Sequence, residues 1–272
     1  MKRKISNFRK ILIEENKEHS KSVITVYFVL RFLVILCMIL EFIRGDWNNA
    51  FLCFLSLILF LMPFFIEKKL KIDLPNMLEI IILLFIFSAE ILGEINNFYA
   101  IIPHWDTMLH TINGFLCGAV GFSLVDLLNR NIKSINLSPL FILIVSFCFS
   151  MTIGVLWEFF EYTADNSFLN LDMQKDKVVT KFSSVKLDPN KENIPIVIDN
   201  IEYTIIYSKD KDGNIIETKI DNGYLDIGIH DTMKDLGVNF IGALVFSIFG
   251  YLYILNRDKY HFINNFIPTG RT

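Results

Sequence analysis

Acidic and histidine side chains recur at the ends of the long apolar segments of this chain. They come in four pairs, which are Glu90 and Glu94, Asp106 and His110, Glu158 and Glu161, and Asp231 and Asp235. A charge immersed in lipid costs a few kcal/mol, so such residues usually pair, face the protein interior or line a water-filled cavity. Four segments that supply such groups at one depth predict a functional site.

Helical spacing places members of this set on common faces. Asp106 and His110 are one turn apart, and so are Asp231, Asp235 and Asn239. Carboxylates and imidazole on facing helices build metal sites, and they equally suit a general acid/base pair or a proton relay. The candidate catalytic residues are Asp106, His110, Glu158 and Asp235, and the candidate ligands of a divalent metal ion are His110, Glu158, Asp231 and Asp235. The alternative is solvation by lipid headgroups or plain structural pairing.

The composition indicates an integral membrane protein. Hydrophobic residues make up 53% of the chain and mean hydropathy is +0.44, while the charged residues, at 20%, concentrate between apolar runs. The net charge of −3 gives no reason to expect a nucleic-acid partner. The cysteines all lie in apolar runs, so neither a disulfide framework nor a zinc-thiolate motif is indicated. The lipid bilayer is the expected partner.

About six transmembrane helices are predicted, because six apolar runs approach the roughly 20 residues that a bilayer core requires. They lie near 23–43, 49–66, 77–93, 105–128, 138–162 and 234–255. Gly114, Gly118 and Gly121 predict a face for close helix packing within the fourth run. The predicted fold class is an all-α polytopic membrane protein with a small β-rich extracytoplasmic insertion.

Basic residues flank alternate ends of these runs and predict the orientation. Lysines and arginines precede the first run and follow the second, fourth and sixth, so both termini are expected in the cytoplasm of a bacterial cell. The predicted organisation is a basic N-terminal segment 1–22, helices 1–5 within 23–162, an extracytoplasmic loop 163–230, helix 6 within 231–256 and a cytoplasmic tail 257–272. All four pairs of polar residues then lie at the outer membrane face.

The loop 163–230 is the one segment with strand signals. Runs rich in Val, Ile, Thr and Tyr flank Asp212-Gly213, a strong signal for a β-hairpin. Elsewhere the chain has no GxSxG elbow, HExxH motif or Walker loop, which excludes several familiar chemistries.

Five short blocks together resemble a family of uncharacterised bacterial inner-membrane proteins typified by YjdF. The blocks are WDTMLH at 105–110, NGF at 113–115, GVLWEFFEY at 154–162, DMQ at 172–174 and DTMKDL at 231–236.

More distantly, the spacing of Asp106 with His110, and of Asp235 with Asn239 and Gly242, is similar to the signature of VanZ-like proteins, which are linked to glycopeptide tolerance and the cell envelope. The chain departs from them by a β-rich insertion, about 177–225, and by lacking a glutamine after the glutamate. The resemblance implies a multi-pass membrane fold and supports the site without assigning a reaction.

Two main classes of function follow. The first is a membrane-embedded hydrolase or transferase that acts on a lipid-linked or cell-envelope substrate at the outer face, with a divalent metal ion or an acid/base pair. The second is a proton- or cation-coupled transporter or ion-binding protein. A further alternative is an envelope interaction protein that uses the β-rich insertion as its contact surface. The absence of a convincing internal repeat favours the one-sided site over a transport path.

Overall fold

The structure, a computed structural model, describes residues 20–132, 134, 136–167 and 172–270 of the 272-residue chain. Most of it is helical, and the α-helices are α1 (Lys21–Arg44), α2 (Trp47–Leu59), α3 (Met62–Leu70), α4 (Asn76–Ile86), the four-residue α5 (Phe98–Ile101), α6 (Trp105–Asn131), α7 (Pro139–Ser167) and α8 (Ile229–Leu255). The predicted basic segment 1–22 lies outside the described residues as far as residue 19.

Five helical stretches of the described chain are long and apolar enough to cross a bilayer: α1, α2 together with α3, α6, α7 and α8. Large apolar side chains on them point outward, and Phe32, Ile43 and Phe51 are 65%, 77% and 63% exposed. In water so much exposed apolar surface promotes association, whereas lipid tails solvate it. The predicted all-α polytopic fold with a small β-rich insertion is confirmed.

The predicted third span, 77–93, is helical throughout but is not α-helical throughout. After α4, the chain continues without a break as a π-helix over Phe87–Ile95, which carries both Glu90 and Glu94. The aromatic residues that follow pack against this wider turn. Trp105 donates its indole N–H to the Ser88 carbonyl at 3.3 Å, and the Tyr99 ring occupies the space above Gly93. π-helical turns inside longer helices are frequent near functional sites.

The described residues form two compact units, and the first consists of those within 1–155 and 235–272. Its core contains Leu78, Phe122, Ile142 and Phe246, all of which are fully buried. Strand β1 (Ile72–Asp73), which follows α3, pairs antiparallel with β8 (Thr269–Gly270) near the C-terminus. The segment that follows α3 and the segment near the C-terminus therefore lie side by side in this unit.

Glycines set the distance between α6 and α8. A Cβ at Gly114 would lie 2.2 Å from the Asn239 carbonyl oxygen, and a Cβ at Gly242 would lie 2.1 Å from the carbonyl oxygen of Thr111. No real Cβ tolerates such contacts, so the two backbones touch directly at these positions. The predicted role of the α6 glycines in close packing is confirmed, with Gly118 against Phe246.

The second unit, 156–234, contains three antiparallel strand pairs. These are β2 (Val178–Val179) with β7 (Tyr224–Leu225), β3 (Phe182–Ser184) with β4 (Ile196–Ile198), and β5 (Tyr203–Lys209) with β6 (Ile215–Asp221). The hairpin predicted at Asp212-Gly213 is confirmed as the β5–β6 turn. There Asp210 accepts hydrogen bonds from the backbone N–H groups of Asp212 and Asn214, and Gly213 has a φ of +86°.

Candidate functional site

Helix α6 carries the first two candidate residues at its beginning. The chain turns sharply at His104, which has a left-handed φ of +61°, and the helix starts at Trp105. Asp106 therefore lies in the first turn and His110 in the second, on one helical face. Both are largely enclosed, because their side chains are 15% and 9% exposed.

Helix α8 brings Asp235 to this pair. The Asp235 side chain is 2% exposed, and its Oδ2 lies 4.0 Å from His110 Nε2. The same imidazole nitrogen lies 3.4 Å from Asp106 Oδ1. One ligand atom from each of the three residues lies within 4.8 Å of the other two. Two carboxylates and one imidazole thus converge inside the first unit.

The separations distinguish between two kinds of site. A hydrogen bond between a ring nitrogen and a carboxylate oxygen is shorter than about 3.2 Å. Two ligands of one tetrahedral ion, each about 2.0–2.2 Å from it, are about 3.3–3.6 Å apart. The 3.4 Å and 4.0 Å distances to His110 Nε2 resemble the second arrangement more closely than the first.

A pair of asparagines lies one helical turn deeper than the three residues. Asn239 follows Asp235 by one helical turn and is 1% exposed, and its Oδ1 accepts a hydrogen bond from Asn113 Nδ2 at 3.1 Å. Gly154 of α7 leaves room for the Asn239 amide, since a Cβ there would lie 2.5 Å from Nδ2. The one-turn spacing of Asn239 from Asp235 indicated that the two share a helical face, whereas its partner Asn113 was noted only within one of the family blocks.

Asp231 was the other candidate ligand on α8, and its side chain has partners within the second unit. Its Oδ2 accepts the backbone N–H of Lys175 at 3.0 Å, and its Oδ1 lies 2.8 Å from Lys234 Nζ. These contacts join the start of α8 to the segment that follows α7. The prediction that Asp231 binds a metal ion stays a prediction.

Glu158 and Glu161 lie near the end of α7, in the second unit. Both are buried, at 4% and 8% exposure, and Glu161 Oε1 accepts the indole N–H of Trp157 at 2.8 Å. Burial of Glu158 agrees with the expectation that it is not simply solvated by headgroups. Its membership of the candidate site stays a prediction.

Three other polar residues near the helix ends, His230, Glu90 and Glu94, have different surroundings. His230 is half-exposed, and its Nδ1 lies 2.6 Å from Asp226 Oδ2. Among the described residues, Glu90 and Glu94 belong to no group of three potential ligands within 4.8 Å. The four cysteines are free thiols in the apolar helices, as their positions predicted.

Two aspartates just outside the helices have shifted pKa values in opposite directions. Burial alone would raise the pKa of Asp226, but hydrogen bonds from the backbone N–H groups of Lys177 and His230 and from the His230 ring lower it overall. Burial, reinforced by neighbouring aspartates, raises the pKa of Asp176. Asp226 thus accepts several hydrogen bonds immediately before α8, a role that sequence spacing did not indicate.

The comparisons with known proteins agree with this architecture. Residues 24–256 match the family described as "Predicted membrane protein (DUF2238)". The chain belongs to the DUF2238 family. The predicted membership of a multi-pass membrane-protein family is thereby confirmed, and the matched range contains the six predicted spans almost completely, the three converging residues and the β-rich insertion.

A relative of this DUF2238 protein is an uncharacterised protein from Thermotoga maritima. The two are 26% identical over 113 residues, which is 42% of this chain and 57% of the relative. The alignment therefore spans little more than half of that protein. No solved structure matches the chain.

Proposed function

We propose that Asp106, His110 and Asp235 bind a divalent metal ion and form the active centre of a membrane-embedded hydrolase or transferase. The observation that carries this proposal is the position of His110 Nε2, 3.4 Å from Asp106 Oδ1 and 4.0 Å from Asp235 Oδ2. Two carboxylates and one imidazole form a set of donors that a divalent cation would bind, and such a cation would lower the cost of burying the two negative charges.

The ligand types narrow the choice of ion. One imidazole nitrogen and two carboxylate oxygens suit Zn²⁺ or Mn²⁺, whereas thiolate-binding clusters are disfavoured. Three protein ligands are typical of catalytic sites, because they leave a position for water or substrate. A divalent ion held there would lower the pKa of bound water and polarise a phosphoryl or carbonyl oxygen.

The surroundings support a lipid-linked or cell-envelope substrate. The site lies in the first turns of α6, at one end of a membrane-spanning helix, where polar headgroups meet lipid tails. Ile101, Ile102 and Met108, which are close to Asp106 in the chain, are all exposed. A substrate with a polar head and an apolar tail could place its reacting bond at Asp106 and its tail along these side chains.

A cation- or proton-coupled transporter is the second candidate, and the buried polar groups deeper in the same helices favour it. The Asn113–Asn239 pair lies one turn below the site, and Ser146 and Ser247, both fully buried, have their hydroxyls 3.5 Å apart further inward. However, Ser146 donates to the Gly118 carbonyl, a bond that also serves helix packing. Uptake of a labelled cation into liposomes containing the protein, lost in His110→Ala, would favour this alternative.

Metal analysis of the purified protein tests the main proposal. With an affinity tag that does not bind metals, we expect about one divalent ion per wild-type chain after loading with Zn²⁺ or Mn²⁺. His110→Ala and Asp235→Asn should reduce metal affinity at least about tenfold, because removing even an outer-shell partner of a ligand typically costs about 10–100-fold and each variant removes a direct ligand.

Asp231→Asn separates the two candidate ligands on α8: Asp231 lies one turn before Asp235 and contacts Lys175 and Lys234, and this proposal does not include it among the ligands, so the variant is the matched control. We expect it to retain the metal. Equal metal content in wild type and His110→Ala, with both proteins folded, would contradict the proposal.

A further inference from the structure

The far end of α6 carries a second charged cluster that the proposed active centre does not use. Asp126 is 1% exposed and contacts two arginines: Arg130 Nη2 donates to its Oδ2, and Arg257 Nη2 donates to its Oδ1 at 3.0 Å. Arg130 is on the same helix, and Arg257 lies just after the end of α8. One buried carboxylate thus brings two guanidinium groups from different segments together.

The cluster has an excess positive charge at the protein surface. Two guanidinium groups face one carboxylate, and the arginine side chains are 36% and 37% exposed. Each guanidinium has five N–H donors in a planar fork, so most of them remain for a ligand after the contact with Asp126. Tyr253 lies 5.0 Å below the Arg257 guanidinium and restricts its plane.

The depth of the cluster selects the ligand. Asp126 follows Asp106 by 20 residues within α6, which is about 30 Å along a helix and equals the thickness of a bilayer core. The arginines therefore lie at the membrane face opposite the candidate active centre, at the level of lipid headgroups. Planar guanidinium pairs are well suited to bidentate contacts with phosphate oxygens.

We propose that Arg130 and Arg257, held in place by Asp126, form a binding site for a phosphate group, and that its source is the headgroup of an anionic phospholipid. Basic pockets between membrane helices recognise such headgroups. The site is independent of the metal proposal, because its residues and its membrane face are different. Binding there would join the ends of α6 and α8 and stabilise the face opposite the active centre.

The test compares the thermal stability of the full-length protein in detergent with phosphatidylglycerol, phosphatidylcholine of the same acyl chains, or inorganic phosphate. We expect phosphatidylglycerol to raise the melting temperature of the wild type by several degrees more than phosphatidylcholine does. In the double variant Arg130→Gln/Arg257→Gln, this difference between the two lipids should vanish. The variant should bind phosphatidylglycerol at least about tenfold more weakly than the wild type, because that is the contribution of one bidentate charged contact.

The control Lys68→Gln/Lys69→Gln removes the same amount of charge from the last turn of α3, which the distribution of Lys and Arg predicts to lie at the same membrane face. It should keep the response to phosphatidylglycerol. A response that is lost equally in both double variants would indicate general attraction to anionic lipid and overturn the site. Stabilisation of the wild type by inorganic phosphate alone, abolished by the arginine variant, would support the phosphate site and identify a soluble ligand as its source.

Two further variants keep the test decisive if the double arginine variant fails to fold. Arg130→Lys retains a positive charge beside Asp126 but loses the planar fork, and should show a weaker response to phosphatidylglycerol. Asp126→Asn removes the negative charge and should retain or increase that response, although it weakens the contact between α6 and α8. If Asp126→Asn lowers stability and the lipids have equal effects on wild type and on all variants, the cluster is a structural ion pair only.

Discussion

His110 Nε2 lies 4.0 Å from Asp235 Oδ2, although 125 residues separate them in the chain. The approach depends on the direct backbone contact between α6 and α8, where Gly114 faces the Asn239 carbonyl and Gly242 faces the carbonyl of Thr111. A larger residue at either glycine would separate the helices and move Asp235 away from His110. The position of Asp235 beside His110 therefore depends on the packing of α8 against α6.

We expect Gly242→Ala to lower the melting temperature and to weaken metal binding. Overpacking a close helix contact costs about 1–3 kcal/mol. Gly237→Ala, on the same helix, is the matched control, because a Cβ there meets nothing within 4 Å. That variant should be neutral or stabilised by up to about 1 kcal/mol through helix propensity. The melting temperature in detergent and the metal content are measured for both variants. Equal melting temperatures and equal metal contents would contradict the prediction that metal binding depends on the close contact at Gly242.

We expect Glu158→Gln and Asp235→Asn to insert and fold like the parent but to abolish the cellular phenotype of the gene. The reason is that a neutral isostere preserves shape and removes the cost of burying a charge, while it removes a metal ligand or general base. Expression level, melting temperature in detergent and a complementation assay are measured in parallel. Complete complementation by both variants would favour headgroup solvation over a functional site.

Asp226→Asn should destabilise the second unit by about 1 kcal/mol, because Asp226 accepts the backbone N–H of His230 and so caps the start of α8. The pKa of Asp226 is lowered in the folded protein, so its contribution is present above the unfolded pKa of about 4 and is lost as pH falls through the folded pKa. Melting temperatures of wild type and variant should therefore converge below about pH 4. Asp199→Asn, at an exposed site, serves as the control. A difference that persists unchanged at pH 3 would contradict this role.

Cysteines introduced at Ser167 and Asn214, in a background without Cys37, Cys53, Cys117 and Cys148, should react with a membrane-impermeant thiol reagent in intact cells. This follows from the predicted extracytoplasmic loop 163–230. A cysteine at Lys69, at the predicted cytoplasmic face, should react only after lysis. The reverse pattern would invert the orientation and place the candidate active centre at the cytoplasmic face.

The sequence alone determined the class of the protein and the residues worth testing. The length of an apolar run reports whether a segment prefers lipid to water, and this preference is local, so the spans could be predicted. The β-hairpin at Asp212-Gly213 could be predicted because its turn residues are also a local signal. Helical spacing is local as well, which is why Asp106 and His110 could be assigned to one face of α6. The composition and the ordered blocks indicated the membrane-protein family.

Only the tertiary structure decided which distant side chains meet. Asp231 and Asp235 are equivalent in spacing, yet within the first unit it is Asp235 that lies beside His110, because the glycine contacts fix the rotation and depth of α8 against α6. The close packing of α8 against α6 also pairs Asn113 with Asn239. At the C-terminal end of α6, Asp126 accepts a hydrogen bond from Arg257, which follows α8. The change from α- to π-helix at Phe87 was also not visible in the sequence, since apolar periodicity does not distinguish the two kinds of helix over only nine residues. Such contacts depend on the packing of whole helices in three dimensions, which no local pattern of residues specifies.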